Sequence, residues 1–330
     1  MSQKKISFTL KELSKTIDAS ITGDENIIIS NIATIQEANA KSITFLSNKK
    51  YLKFLDTTQA AAVIISSNLE TNSSVNLLKC SDPYLAYAKI SSLFVNKENK
   101  LKTPSIHKSA SISSSADVSK LSFVSANVII EENVVIEEGV YIGPNSFIGP
   151  NCYLKKGCKI NANCSLVQDV TLGEFSSVHF GSVLGSDGFG YAPSKTGYQK
   201  IEQLGGLIIG DNVEIGSSCT IDRGALGDTQ IHDGVKLDNQ VHIAHNVSLG
   251  KNSAIAACCA IAGSTLIGKN LQMGGLSGIL GHLSICDDVS IGAHTLVTKN
   301  IDNPGNYVGI MPTQEQKDWA KSSIFIKKRG

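Results

Sequence analysis

Several things are scarce in this chain, and each scarcity excludes something. None of its 330 residues falls in an apolar run of about 18, so no spanning helix is expected. No sign of charge dominates: 30 Lys and Arg face 29 Asp and Glu, a net charge of +1. That balance argues against nucleic acid or a membrane surface as a general partner. The opening MSQKKISFTLKELSK breaks into charge before a signal-type apolar stretch could form, so a cytoplasmic location is expected. Eight cysteines include no CxxC pair, which removes the usual thiol signature of a zinc or redox site. Histidines number only seven, and five of them (His232, His242, His245, His282 and His294) lie in the last third of the chain.

What is present is a six-residue beat. From Ile106 to Leu184, fourteen successive stops at six are aliphatic, among them Ile112, Val124, Ile136, Ile148, Ile160 and Leu172. At a 42% hydrophobic frequency, such a run has a chance on the order of 10⁻⁵. The beat resumes at Ile209, Ile215 and Ile221, and again from Ile231 through Ile243, Ile261 and Ile279 to Val297. Four residues after each stop stands a small or β-branched residue, such as Ala110, Val134, Ser146, Cys152, Val213 or Thr265. Six is not a helical period. It suits a short strand plus a corner, with one large and one small residue turned inward per face. A repeat too short to bury its own apolar face must stack on its neighbours, which predicts a β-solenoid. Cys152, Cys158, Cys164, Cys219 and Cys259 all fall on the small inward position, where a thiol serves as a compact hydrophobe.

Residues 1–103 lack the beat and are expected to form a separate small α/β domain. Thr9-Leu10-Lys11-Glu12 is a capping box opening a helix to about Ile17. Residues 27–32 and 60–66 suit strands, the second buried on both faces. Asp82-Pro83 is expected to cap a helix over Tyr84–Phe94 with Leu85, Ala88 and Ser92 turned inward. The solenoid domain is expected over 104–310. A final segment, 311–330, starts a basic helix at a second capping box, Thr313-Gln314-Glu315-Gln316. That helix either caps the solenoid and touches other copies, or meets an acidic partner.

Two pauses interrupt the beat. Residues 185–206 (GSDGFGYAPSKTGYQKIEQLGG) do not match a phosphate-binding loop, since no Lys-Ser/Thr follows the glycines. A long insertion leaving a rigid scaffold at one point is expected to be a substrate or active-site loop. The second pause, within 222–230 (DRGALGDTQ), adds four residues.

Three hexads make one coil of a three-faced prism, so eighteen residues carry a position to the coil above. Eighteen after His245 is Gly263, and eighteen more is Gly281, beside His282. A histidine can remove a proton near neutral pH. A glycine lets a substrate approach a backbone N–H, which can hold an oxyanion. The column therefore offers His245 as base and the Gly263 N–H as oxyanion donor, with no covalent intermediate required. A histidine in a repeat corner is also commonly a hydrogen-bonded spacer.

The hexads resemble the hexapeptide-repeat acyltransferases, whose chains wind into a left-handed parallel β-helix. More specifically, KLDNQVHIAHNV at 236–247, TIDRGALGDT at 220–229 and GSDGFGYAP at 185–193 resemble the UDP-3-O-acylglucosamine N-acyltransferases of lipid A biosynthesis. ITFLSNKKY at 43–51 and DPYLAYAK at 82–89 extend the resemblance into the first domain. The resemblance implies transfer of an (R)-3-hydroxyacyl group from acyl carrier protein to the 2-amino group of a UDP-linked, 3-O-acylated glucosamine. No cofactor or metal would be bound by the protein, because the acyl group arrives on the carrier's phosphopantetheine. His245 would be the general base, and His282 would assist at the substrate. Phe45, Asn48 and Tyr51 would hold the uracil. Asp238, Asn239 and His242 would contact sugar or orient the base, although glutamine is expected at position 242 in many relatives. The family is a homotrimer with sites between neighbouring helices.

Three other readings stay on the table, the least favoured being a purely structural β-helix, which would show the beat without the histidine ridge, the long insertion or the first domain. Zinc carbonic anhydrases with this fold would use three histidines, conceivably His242, His245 and His282, but need neither the first domain nor the 185–206 loop. An O-acyltransferase would share base and fold and differ in its acceptor.

Overall fold

Each hexad becomes a two-residue strand and a corner in the computed structural model, which describes residues 6–95, 103–310 and 313–327. In Val135–Ile136 and Lys159–Ile160 the first side chain is exposed and the second buried. Strands eighteen residues apart pair in parallel, Val124 with Ile142, Ile142 with Ile160, and Ile160 with Val178. Three sheets of nine, ten and eleven strands line the faces of a parallel solenoid. Its interior is one continuous column of aliphatic residues from Val124 to Ile301. Each such side chain contributes about 1.5–3 kcal/mol when the coils above and below cover it.

The corners explain how so short a repeat turns. The third residue after each inward aliphatic adopts a left-handed conformation: Asn127, Asn133, Asn145, Asn151 and Asn163 all have φ between 56° and 61°. Asparagine tolerates that region better than other side-chain-bearing residues. It also builds ladders along the prism edge, with Asn133 Nδ2 donating to Asn151 Oδ1 at 3.2 Å and Asn151 Nδ2 to Asp169 Oδ1 at 3.0 Å.

The small inward position does more than fill space. Cys158, Cys164, Cys219 and Cys259 each donate a thiol hydrogen to a carbonyl of the following coil, at 2.9–3.1 Å. Ser146, Ser182 and Ser277 do the same with hydroxyls. The thiols are therefore weak donors as well as compact hydrophobes.

Both pauses loop out without breaking the ladder. Ser177 pairs with Glu214, 37 positions on instead of 18, so 19 residues leave the prism and return in register. Within them Tyr191–Ser194 and Gly197–Lys200 form an exposed antiparallel hairpin. Thr220 pairs with His242, 22 positions on, which accounts for the four extra residues of the second pause.

Residues 1–102 and 103–330 are two compact units. In the first, Thr9 and Glu12 close the expected capping box on helix α1, Leu10–Ile17. A five-stranded sheet has Asn31–Ile32, Ser42–Phe45, Ala62–Ser66 and Asn76–Cys80 in parallel, with Ser20–Thr22 antiparallel at the edge. Ala62 to Ile65 are buried on both faces of that sheet, as the unbroken apolar run required. The 27–32 segment forms two short strands instead of one.

Asp82 caps helix α2, Pro83–Leu93, through Oδ1, which accepts from Tyr84 N and Leu85 N. Its inner face differs from the expected one. Pro83, Ala86 and Ile90 are buried, while Leu85 is exposed along with Ala88 and Ser92. The helix is apolar on several sides, so its sequence alone did not select the face. Helix α3, Gln316–Lys327, starts two residues later than a Thr313 cap would set it, with Trp319 N donating to Glu315 O. Residues 328–330 of the basic end lie outside the described residues. Among the described residues no helix is long and apolar enough to cross a membrane.

Thiol reactivity tests this packing, because only the thiolate attacks. Burial pushes Cys152 up to about 11 and Cys158 up to about 12. Cys258 is exposed. Alkylation of the native protein at about pH 8 should label Cys258 first and leave Cys152 and Cys158 untouched until denaturant is added. Early labelling of either buried thiol, read by peptide mass, would contradict the stacked core.

Candidate active site

The outward residues of one face form the column Thr220, His242, Ala260, Gly278 and Leu296. It narrows to small residues above His242, then closes where Leu296 Cδ1 lies 3.1 Å from where a Cβ on Gly278 would stand. His242 Nδ1 is 2.8 Å from Thr220 Oγ1. At the corner beside this column sit Ala244, His245 and Asn246.

The hydrogen bonds of Asn246 fix the chemistry of His245. Asn246 Nδ2 donates to Gly227 O at 2.8 Å, and Asn246 Oδ1 accepts from Ala225 N at 2.9 Å. Its amide is thereby oriented, with oxygen toward His245. His245 Nδ1 lies 3.0 Å from that oxygen and must carry the hydrogen. In the neutral ring the other nitrogen, Nε2, is then the acceptor. It points at Gly263, lying 2.9 Å from where a Cβ would stand on that residue. Only glycine leaves this space open.

Above, Ser264 N donates to His245 O and His282 N to Gly263 O, both at 3.0 Å. Among the described residues no acceptor for the Gly263 N–H is found. His282 is an exposed left-handed corner residue, φ 60°, stacked in the column of Asn246 and Ser264 one place over from His245. The strand geometry thus assembles His242, His245, Gly263 and His282 along one ridge.

Asp238 and Asn239 do not join them within the chain. They occupy the preceding corner, where Asp238 accepts from Asn239 N and Ala257 N, and Asn239 Oδ1 accepts from Ser217 N. In the first unit, Asn48 caps the 3-10 turn Lys49–Phe54 by accepting from Lys50 N. Phe45 stacks on Tyr87 with centroids 4.3 Å apart, and Tyr51 meets Phe54 at 6.4 Å. No group of three His, Cys, Asp or Glu among the described residues converges on a possible metal position.

The 185–206 insertion returns to this ridge. A Cβ on Gly188 would fall 2.7 Å from His245 Cβ, so the loop backbone lies directly against the imidazole. Its two ends are tied to the second pause. Arg223 N donates to Ser186 O at 2.9 Å, Gly205 N to Gly224 O at 2.9 Å, and Leu204 N to Ala225 O at 2.7 Å. The Arg223 side chain, 4% exposed, donates from Nε to Gly205 O and from Nη2 to Asp169 Oδ2 at 2.7 Å.

Sequence reasoning did not single out Asp222, Gly188, Arg223 or Asn246, although all four stand inside the motifs it relied on. Their roles depend on contacts made across the looped-out residues, and spacing within a motif does not show these.

The six-repeat bacterial transferase hexapeptide model matches residues 228–263, in keeping with the left-handed parallel β-helix of the second unit. The LpxD model, described as UDP-3-O-(3-hydroxymyristoyl) glucosamine N-acyltransferase, matches residues 26–93 of the other unit. Among curated relatives, UDP-3-O-acylglucosamine N-acyltransferase of Hahella chejuensis is 51% identical over 98% of this chain and 92% of its own. The proteins of the same name from Bordetella pertussis and Pseudomonas aeruginosa are 46% and 44% identical. They cover 91% and 98% of this chain, and 85% and 91% of their own. The chain belongs to the UDP-3-O-acylglucosamine N-acyltransferase family and is an acyltransferase.

The buried ion pair can be tested. Burial pushes the Asp169 carboxyl up, but donors from Asn151, Arg223 and Gln168 outweigh it and hold it below the ordinary value. A depressed carboxylate stabilises the fold above its unfolded value of 3.8, and that stability is lost as pH falls toward the folded value. Removing one partner of a buried pair costs about 3–5 kcal/mol, less here because Asp169 keeps a third of its side chain in water. Arg223→Met should therefore lower stability by about 2 kcal/mol at neutral pH, with the gap from wild type shrinking below pH 3.8. Equal denaturation midpoints for the two proteins at neutral pH would refute the pinning role.

Proposed function

We propose that the protein transfers a 3-hydroxyacyl group from the phosphopantetheine of acyl carrier protein to the 2-amino group of UDP-3-O-acyl-glucosamine, in lipid A biosynthesis. The observation that carries the mechanism is the tautomer of His245: Nδ1–H engaged by Asn246, and Nε2 free and facing the Gly263 backbone.

In this reading the sugar amine attacks the thioester carbonyl carbon while His245 Nε2 takes the amine proton. Electrons move onto the carbonyl oxygen, which the Gly263 N–H stabilises. Collapse of the tetrahedral intermediate breaks the C–S bond, and the leaving thiolate recovers the proton from His245. The products are an amide and the free thiol of the carrier. No group on the protein is acylated, and no bound cofactor is called for. His282 is positioned to contact the sugar nucleotide beside the reacting centre. Phe45, Asn48 and Tyr51 hold the uracil, a role supported by the match of the first unit to the family model and by the aromatic surface around Phe45. Base stacking on an aromatic ring contributes about 1–3 kcal/mol.

The site also fits an assembly of three chains. Asp238 and Asn239 are exposed at a corner away from His245, next to a groove of about 640 Å³ lined by Lys236, Ala254 and Gln272. In a homotrimer that corner would serve the ridge of a neighbouring copy. Sedimentation equilibrium should give three times the 35.0 kDa chain mass, and a monomer would sink this part.

The decisive assay is acyl transfer in vitro from 3-hydroxyacyl carrier proteins of several chain lengths to UDP-3-O-acyl-glucosamine. His245→Ala should lose about 10³-fold in kcat. Phe45→Ala should raise KM for the sugar nucleotide about tenfold with kcat little changed. No transfer by the wild-type protein with any donor would remove the proposed reaction, and full activity of His245→Ala would remove the base.

A further inference from the structure

One buried ionisable group beside the ridge has no part in the mechanism above. Asp222 ends the strand Thr220–Asp222 and is 8% exposed. Thr220 and Ile221 pair with His242 and Ile243, so Asp222 continues alongside Ala244, the residue before His245. Its Oδ2 lies 3.8 Å from His242 Nε2, and its Oδ1 accepts from Ser186 Oγ at 3.1 Å. Ser186 stands two residues before Gly188, whose backbone lies against the His245 ring. One carboxylate thus sits under the loop, beside one imidazole and next to the corner that carries the other.

Burying a carboxylate without a full counter-charge is unfavourable, and a fold keeps such a group where a charge develops near it. His245 becomes cationic when it takes the amine proton, and its Nδ1–H is held by a neutral amide, which supplies no negative charge. We propose that Asp222 is the carboxylate shared by His242 and His245, a positioning residue that stabilises the imidazolium formed at His245 during transfer. This rests on His245 being the base. The ionisation of Asp222 agrees with the role. Burial holds its carboxyl above the ordinary value, and His242, the Ser186 hydroxyl and His245 offset only part of that rise, so it responds to charge on the histidines.

The other charges around it leave the role open to Asp222. Asp187 is the nearest further carboxylate and opposes ionisation of Asp222, but it is paired with Lys200 at 2.5 Å. Arg223, next in sequence, turns its guanidinium to Asp169 and Gly205. His282 belongs to the corner column two coils above Asn246.

Two measurements on the full-length protein test the proposal, and the first needs no substrate. Carbon-13 titration of the Asp222 carboxyl, assigned by Asp222→Asn, should show its midpoint rising in His245→Gln and again in His242→Gln, since each histidine lowers it. A midpoint unmoved in His245→Gln overturns the link to the base whether or not the protein transfers acyl groups. The second is kinetic. Asp222→Asn keeps the shape and removes the charge, so kcat should fall roughly tenfold while KM for the sugar nucleotide holds and an acid-side ionisation disappears from the pH profile. Wild-type kcat in Asp222→Asn overturns the proposal. If that variant does not fold, Asp222→Glu supplies the assignment and the titration in His245→Gln still decides. Absence of transfer by wild type would instead count against the reaction and leave the titration result standing.

Discussion

A two-residue strand can place its aliphatic side chain only against the coil above and the coil below, and the rest of the solenoid depends on that constraint. No hexad is stable alone, so each coil from Val124 to Ile301 must stay in register with its neighbours for its aliphatic side chains to be covered. The corners serve that register. They turn sharply at left-handed asparagines and return each strand to the same height, and the inward thiols and hydroxyls add hydrogen bonds between coils to the contact. A rigid ladder of this kind lets His245 and Gly263, eighteen residues apart, hold a fixed separation without any contact between their side chains.

The site is made where the register is stretched without being lost. Four extra residues before His242 and 19 before Glu214 leave the prism on neighbouring coils. Arg223 then ties the two together through Gly205 and Asp169. The consequence is a ridge with three layers of support. Asn246 sets the proton on His245, the second pause sets Asn246 through Ala225 and Gly227, and the first pause shields the ring through Gly188. For the proposed transfer, groups that need not reorganise during the reaction are the effective ones, and this support would supply them.

Much of this was legible in the sequence because it is periodic or strictly local. The hexad gave the strands, their inward residues and the stacking of His245 beneath Gly263. Thr9 with Glu12, and Asp82 with Pro83, marked helix starts through contacts within one turn. What could not be read depended on distant partners. Helix α2 is apolar on several sides, so Leu85 and Ala88 were as plausible inward as Pro83 and Ala86 until the sheet beneath was known. The face of Phe45 is met by Tyr87, 42 residues later. Asp222 and Asn246 lay in plain view within their motifs, but their significance is a matter of what the looped-out residues bring beside them. Spacing in sixes describes the prism and is silent about its detours.

Those detours have a further meaning because they rejoin the ladder in phase. Coil number and loop content are separate variables in this architecture. A residue count of eighteen can be added to lengthen the prism, while the excursion at Ser186 can be recut without shifting a single strand above it. The fold therefore keeps its ruler and its workbench independent, and descent with modification can alter the loop against His245 while the distance to Leu296 stays the same.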